Sequence, residues 1–415
     1  MEPVERGRVL RDVARALEDH VGELAEISTQ EIGRPIGQSR GLVANAVDYV
    51  DYYAGMTDKI EGQTFPLKQS NQAFTRKEPI GISAQIVPWN APVLLCFRGV
   101  APALAAGNAV VVKPSPFAPG VILKLAEIAS EAGLPNGLFN VVPGLVDTSK
   151  ALTSDPRVGQ ITFTGSVSTG QIVGKTAVDQ VVPTVLELGG KSPAVVFDDA
   201  DLDDAAAAAA KGSLKYAGQR CSAISRVLAH EAVHDDLVER IDARFDDWVL
   251  GDLFDDDTDL GPLVSAEQAD WVEELVDDAV ERGARVVRGG DRYEAADGVH
   301  VFEATLLADV PQDARIVDEE QFGPVCAVTT FGDDDEALEL ANRSDLALDA
   351  SVFTADYDRA MGMADRIEAG AVRINGAPSH GLGDIPFGGN RDSGIGREGL
   401  DKTIEEFVRE KSIIL

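Results

Sequence analysis

The sequence of 415 residues is short of cysteine, aromatic residues and lysine. Its three cysteines, Cys96, Cys221 and Cys326, cannot build a disulfide framework, so the chain reads as reduced and cytoplasmic. No segment approaches the roughly 18 consecutive apolar residues of a membrane span. The best candidate, around 100–112, is interrupted by Pro102, Gly107 and Asn108. The N-terminus is charged from Glu2 onward and lacks the apolar core of a signal peptide. Aromatics are only 6%, but hydrophobic residues at 44% supply a sizeable core and exclude wholesale disorder. Positive charge is scarce as well: Lys+Arg number 37 against 70 Asp+Glu, a net charge of −33. A field of that sign repels phosphate backbones and anionic membranes, so neither nucleic acid nor membrane is an expected partner.

The charge has a second meaning. Only 12 of the 37 basic residues are Lys. The acidic residues are scattered, at Asp198 to Asp204, Asp255 to Asp257 and Asp333 to Asp335, rather than gathered in one tail. This is the surface of a protein adapted to concentrated salt, where mobile ions screen self-repulsion.

At about 150 residues per domain, the length predicts two to three domains. Val9, Leu10, Val13, Leu17, Val21, Leu24 and Ile27 recur with helical spacing and predict one amphipathic helix over 5–30. A second helix is expected over 38–54, then a ribbon over 61–80 with Gly62, Pro66 and Pro79. Strand-like runs at Ser83–Val87, Ala109–Val112, Phe139–Val142 and Ile161–Thr164 alternate with helical stretches at 91–106, 119–132 and 168–179. That alternation predicts a parallel sheet covered on both faces. A second α/β unit starts at Ala194–Phe197, followed by a helix over Asp201–Tyr216 and strands at Val227–Ala229, Arg285–Arg288, Val325–Thr330 and Ala350–Phe353. A terminal strand is expected at Ser412–Leu415.

Three familiar patterns fail their context tests. His230 and His234 match H-E-x-x-H, but His230 ends a strand, so the two rings share no helical face and no metal site is expected. The glycines at 394, 396 and 399 match G-x-G-x-x-G without the preceding strand of a βαβ unit. Gly190-Lys191-Ser192 resembles the end of a P-loop, yet Val185 stands where the first glycine belongs and Pro193 follows.

Four segments survive together: Val87-Pro88-Trp89-Asn90, Phe163-Thr164-Gly165-Ser166, Glu187 to Pro193 (ELGGKSP) and Gly218-Gln219-Arg220-Cys221. With Glu319 to Pro324, Pro386-Phe387-Gly388-Gly389, Ser393-Gly394 and Gly396-Arg397-Glu398, the chain resembles the NAD(P)-dependent aldehyde dehydrogenase superfamily from residue 5 to its end. The chemistry of aldehyde oxidation explains why such residues occur together. A carbonyl carbon has no electron pair with which to expel hydride. A thiolate that adds to it makes a thiohemiacetal whose oxyanion can. Water must then release the acid from the resulting thioester.

The resemblance implies that Cys221 is the nucleophile, Asn90 the oxyanion donor with the Cys221 N–H, and Glu187 the base for hydrolysis. Local positive charge beside Arg220 is expected to lower the Cys221 pKa, and burial to raise that of Glu187. Cys96 and Cys326, in apolar runs, read as small buried hydrophobes. Asn90 could also cap the helix that follows, and Glu187 could pair with Lys191. For the cofactor, NAD or NADP, the resemblance implies Lys113 at the adenosine ribose, Gly165 and Ser166 at the pyrophosphate, and Glu320 and Phe322 at the nicotinamide ribose and ring. Ile86, Pro88, Trp89 and Leu188 complete that bed.

Some positions depart from the family pattern. Pro116 stands where NAD-preferring members often carry Glu, which keeps NADP open. Pro143-Gly144-Leu145-Val146 replaces a usual Gly-x-Gly. Family chains usually begin tens of residues earlier, and this chain begins inside the first long helix: it is either an incomplete gene model or a genuine short form with weakened stability or a more open tunnel. The expected architecture is α/β: two Rossmann-like open α/β domains plus a small β bridging element. The cofactor domain covers 1–60 and 81–188, the catalytic domain 189–391, and the bridging element 61–80 with 401–415. The unpaired ribbon implies a homodimer or homotetramer. The partner is a small-molecule aldehyde, met near Val93, Phe97, Arg220, Ser222 and the loop Ala377–Asp384. His380 in that loop and Arg98, which could attract a carboxylate, are further candidates. The same Cys, Asn and Glu would serve a Cys-dependent esterase, and an inactive cofactor-binding subunit is a third alternative. Lys113, Glu320 and Phe322 argue against the esterase, and the intact Cys221, Glu187 and Asn90 against the inactive subunit.

Overall fold

Runs of Val, Ile and Ala too apolar for a solvent-facing strand form the middle of a six-stranded sheet. The computed structural model describes residues 1–67, 72–296, 298–378 and 385–415. The strand order is Phe139–Val141, Ala109–Pro114, Ile82–Val87, Val158–Thr164, Thr184–Glu187 and Gly394–Ile395. The first five run parallel and the last pairs antiparallel with Thr184–Glu187. From Ile82–Val87 the chain builds outward to Phe139–Val141, then returns to the other side with Val158–Thr164. Such a reversal opens a crevice beyond the carboxyl ends of the strands, where open α/β sheets hold ligands.

The second sheet has seven strands, in the order Arg285–Arg288, Thr305–Ala308, Val325–Phe331, Ile224–His230, Ser192–Val196, Asp349–Phe353 and Ala371–Ile374. Only Arg285–Arg288 is antiparallel. A three-stranded antiparallel sheet joins Thr64–Pro66, Gln72–Pro79 and Val408–Ile414. The expected α/β class, with two open sheets and a small β element, is the observed one. Among the described residues, no helix is long and apolar enough to cross a membrane.

Local expectations fail where periodicity was the only guide. The predicted single helix over 5–30 is two, Pro3–Asp19 and Val21–Ile32, broken at His20, whose Nδ1 lies 2.7 Å from the Ala16 carbonyl oxygen. Periodicity continues through the break because both helices bury one face in the same core. The strand Thr184–Glu187 was not foreseen, being only four residues long. The terminal strand starts at Val408 rather than Ser412, because seven residues pair with Ala73–Pro79.

Helix Leu202–Leu214 shows how sequence positions the site. The Asp201 side chain accepts hydrogen bonds from the Asp203 and Asp204 N–H groups at 3.0 and 3.1 Å, capping the helix. Ala205, Ala206, Ala208, Ala209 and Ala210 are buried and let the helix lie close to the second sheet. The helix stops at a 3-10 turn, Lys215–Gly218, directly before Cys221.

Candidate active site

The turn before Cys221 is held in an uncommon backbone conformation. Tyr216, Ala217 and Gly218 all have positive φ, at 55°, 48° and 68°. For the two residues with a Cβ this is strained, and it persists only where the surroundings impose it. They do so through several contacts. The buried Tyr216 hydroxyl donates to the Ile32 carbonyl at 2.9 Å, and the Arg34 guanidinium lies 3.6 Å from the Tyr216 ring centre. Gln219 is fully buried; its amide donates to the Pro262 carbonyl at 3.2 Å and its oxygen accepts from the Val264 N–H at 2.9 Å. A Cβ on Gly218 would sit 2.0 Å from the Gly323 carbonyl oxygen, so only glycine lets the two loops touch. Cys221 then occupies the turn closed by Ala223 N–H to the Arg220 carbonyl at 3.1 Å.

Cys221 lines a cavity of about 660 Å³ with Asn90, Arg220 and Ser222, whereas Cys96 and Cys326 are buried outside it. Asn90 Nδ2 donates to the Gln219 carbonyl at 3.2 Å, which puts the amide beside the Cys221 loop. It does not cap the following helix: Ala91 is the N-cap and receives no side-chain bond. The Cys221 N–H has no acceptor among the described residues. The expected lowering of the thiol pKa is reversed. Burial pushes it up to about 12, with the Glu320 carboxylate adding to this and Arg98 opposing it. Arg220 does not overcome the loss of hydration.

Glu187 ends the strand Thr184–Glu187, and neither of its buried carboxylate oxygens has a hydrogen-bond partner. Burial raises its pKa well above the ordinary value, helped by the Glu398 carboxylate and opposed by Arg98 and Arg397. The pairing with Lys191 does not occur: fully buried Lys191 donates to Gln321 Oε1 at 2.5 Å instead. Gly388 makes room for Glu187, since a Cβ there would lie 2.8 Å from Glu187 Oε1. Arg98 is committed elsewhere, in an ion pair at 2.9 Å with buried Glu398 and over the Phe387 ring at 4.2 Å.

The cofactor candidates converge on the sheet crevice. Ile86, Pro88 and Trp89 close one central strand, and Lys113 lies in the next, in register with Ile86. Gly165 and Ser166 follow Val158–Thr164, and Ser166 caps helix Val167–Gln180 by accepting from the Thr169 N–H. Leu188 follows Thr184–Glu187 and packs against Gly170 of that helix. Glu320 and Phe322 arrive from the second unit. Glu320 Oε1 accepts from the Gly190 N–H at 2.9 Å, and the Phe322 ring meets Trp89 edge-on at 5.7 Å. Burial raises the Glu320 pKa to about 7. Burial also lowers the pKa of Lys113, which has no ion-pair partner among the described residues. A cation and a helix N-terminus at the ends of the two strands that flank Ile82–Val87 suit a bound pyrophosphate nucleotide.

The profile of the aldehyde dehydrogenase family matches residues 1–413. The chain belongs to that family. A solved NAD-dependent aldehyde dehydrogenase from Sinorhizobium meliloti is 37% identical, covering all of this chain and 82% of that one at a TM-score of 0.97. An NADP-dependent enzyme of E. coli is 35% identical over all of this chain and 86% of its own, also at 0.97. The betaine aldehyde dehydrogenase of Staphylococcus aureus, solved with NAD+, is 34% identical over all of this chain and 83% of its own, at 0.96. The protein is therefore an oxidoreductase acting on aldehydes, with NAD or NADP as cofactor.

The aldehyde dehydrogenase site differs from expectation on one helix. Val93 and Phe97 were expected at the substrate, but they are buried in the core. Leu94, Leu95 and Arg98 of helix Pro92–Ala106 face the cavity instead. All are apolar or long-stemmed, so the sequence could not say which stripe was inward. Of the loop Ala377–Asp384, Ala377 and Pro378 line the cavity, and His380 lies outside the described residues. His230 closes a strand and His234 opens a helix, so they share no helical face. Sequence reasoning missed Arg34 and gave Glu398 no role. Arg34, between Gly33 and Pro35, carried a faint signal as a residue held in a turn.

Proposed function

We propose that Cys221 adds to the aldehyde carbon as thiolate, and that its thioester is hydrolysed by water activated by Glu187. The observation that carries this is the meeting of a cavity-lining thiol, a neighbouring amide donor and a buried carboxylate with no partner. Asn90 Nδ2 and the free Cys221 N–H receive the oxyanion as it forms; losing one such donor typically costs about 10²–10³ in rate. The bound nicotinamide supplies the hydride acceptor. Lys113, Gly165, Ser166, Glu320 and Phe322 hold the nucleotide, with Ile86, Pro88, Trp89 and Leu188 forming the surface beneath it. Glu187 takes a proton from water, a task its raised pKa suits better than an ordinary carboxylate's. The raised thiol pKa means that Cys221 rests protonated near neutral pH, so its proton passes to the Glu187 carboxylate or to water in the cavity as the sulfur adds.

We assign residues 1–60 and 81–188 to the cofactor domain, 189–391 to the catalytic domain, and 61–80 with 401–415 to a bridging element. The outer edge of Val408–Ile414 is unpaired in the single chain, which favours association into a dimer or tetramer. The charge of −33 favours a protein working in concentrated salt, and the unpaired cysteines a cytoplasmic location.

The test is formation of reduced nicotinamide, followed at its near-ultraviolet absorbance. Cys221→Ala is expected to abolish it. Glu187→Gln is expected to give a burst of about one equivalent per site and then slow turnover, since only hydrolysis is impaired. Unchanged steady turnover in Glu187→Gln would refute the assignment of the base.

A further inference from the structure

The cavity in front of Cys221 contradicts the charge of the rest of the molecule. It is lined by Arg34, Arg98, Lys211, Lys215 and Arg220, and no described residue lining it is Asp or Glu. In a chain of net charge −33, that reversal has to be explained. Two of the cations have local roles. Arg98 is paired with Glu398. Arg34 is stacked on Tyr216 and donates to the Asn90 carbonyl, although its Nε has no partner.

The other three remain available. Arg220 donates to the Ser222 hydroxyl at 3.1 Å, and the buried Asp349 carboxylate bears on it. Lys211 and Lys215 form no ion pair among the described residues. They lie one helical turn apart on the face that carries Ala207, Ala208 and Gly212, whose small side chains leave the cavity its volume. A helix C-terminus attracts lysine by its dipole, which accounts for a position in the last turn. It does not account for two lysines on the cavity face of a chain that has no other Lys between Lys215 and Lys402. The crowding is costly. Burial, with Arg220, Arg34 and Lys211 nearby, lowers the Lys215 ammonium to about 8. An anion seated among these groups would reverse that cost.

We propose that the substrate is an aldehyde bearing an anionic carboxylate or phosphate group remote from its carbonyl, held by Lys211, Lys215 and Arg220 while the carbonyl meets Cys221. This rests on the dehydrogenase reading and names its substrate class. The reaction balances as for any aldehyde: carbon loses hydride to the nicotinamide, sulfur is displaced by water, and the anionic group is unchanged. A neutral aldehyde forgoes the charge-assisted contacts, each worth about tenfold or more in affinity.

The test compares kcat/KM for 4-oxobutanoate with its methyl ester, and for glycolaldehyde phosphate with glycolaldehyde. Betaine aldehyde serves as the cationic control. At least a tenfold preference for either anion over its neutral partner is expected, and which pair shows it distinguishes carboxylate from phosphate. In Lys211→Gln and Lys215→Gln the preference should fall by about tenfold, mainly through KM, and Lys215→Arg should restore it. Competitive inhibition of the unmodified enzyme by succinate, but not by its dimethyl ester, provides a readout independent of any variant's folding. Equal use of anionic and neutral aldehydes, or preference for the cation, overturns the inference and leaves the dehydrogenase reading standing. No oxidation of any aldehyde by folded protein overturns both.

Discussion

Replacing Glu398 by Gln tests how the fold sets the basicity of Glu187. Glu398 is buried, 2.9 Å from Arg98 in an ion pair, and after burial itself it does most to raise the Glu187 pKa. The substitution acts twice in one direction. It removes a like charge, and it leaves the Arg98 guanidinium uncompensated beside Glu187. Each change favours ionised Glu187; in general an opposite charge within about 4–6 Å lowers a carboxylate pKa by about 1–3. In the proposed mechanism hydrolysis needs ionised Glu187, so its rate rises with pH through the Glu187 pKa. The acid limb of the kcat profile should therefore move to lower pH by at least about one unit. Breaking a buried ion pair usually costs about 3–5 kcal/mol. Here the loss should fall short of that at neutral pH, because Arg98 can pair with ionised Glu187. The stability change has a distinct pH signature. Glu187, with its raised pKa, stabilises the native enzyme fully only below the unfolded carboxylate value, and that contribution is lost as pH rises through the folded pKa. The variant should lose this decline. The assay is a kcat–pH profile with one saturating aldehyde, beside urea unfolding at pH 5 and pH 8. An acid limb that stays in place, or moves to higher pH, would refute the argument that Glu398 and Arg98 govern Glu187.

Further outcomes follow from the same geometry. Gly388→Ala should destabilise by about 2–5 kcal/mol in urea unfolding, since the new methyl meets Glu187 Oε1 at 2.8 Å and φ is +147°. Gln219→Leu should cost about 2–3 kcal/mol and lower kcat, because the Pro262 carbonyl and Val264 N–H lose their partner and the Cys221 turn loosens. Iodoacetamide should modify Cys221 before Cys96 or Cys326, and its rate should climb about tenfold per pH unit between pH 7 and 10, as the thiol pKa lies near 12. A rate flat above pH 7 would contradict the raised thiol. The melting temperature should increase from dilute buffer to molar KCl as ions screen the net charge of −33.

Much of the framework was legible along the chain. Alternating apolar strands and amphipathic helices announced the first sheet within a few residues, because burial on both faces leaves an uninterrupted Val, Ile and Ala signature. The short strand Thr184–Glu187 escaped, since four residues carry too little periodicity. The break at His20 escaped because the apolar stripe continues across it. Cys221, Asn90 and Glu187 were singled out as residue types whose chemistry belongs together, but what each side chain touches was read wrongly in places. Asn90 is not a cap, and Lys191 is not Glu187's partner. Both alternatives were local pairings, and the observed partners, Gln219 and Gln321, are about 130 residues distant.

Sequence alone therefore determined the class of fold and the family, and it singled out candidate reacting groups, because these depend on residue type and short spacing. Tertiary structure alone decided the electrostatic surroundings of these groups. The Cys221 thiol is raised rather than lowered, since burial and the Glu320 carboxylate outweigh the cations that adjoin it in sequence. Arg98 faces Glu398, three hundred residues on, which turns a candidate substrate anchor into a governor of Glu187. Lys211, Lys215 and Arg220 lie within ten residues in the sequence, but they join Arg34 and Arg98 in one positive wall only when the chain folds around the cavity. Electrostatic energy depends on distance in space and on exclusion of water, and neither quantity is written in the order of residues.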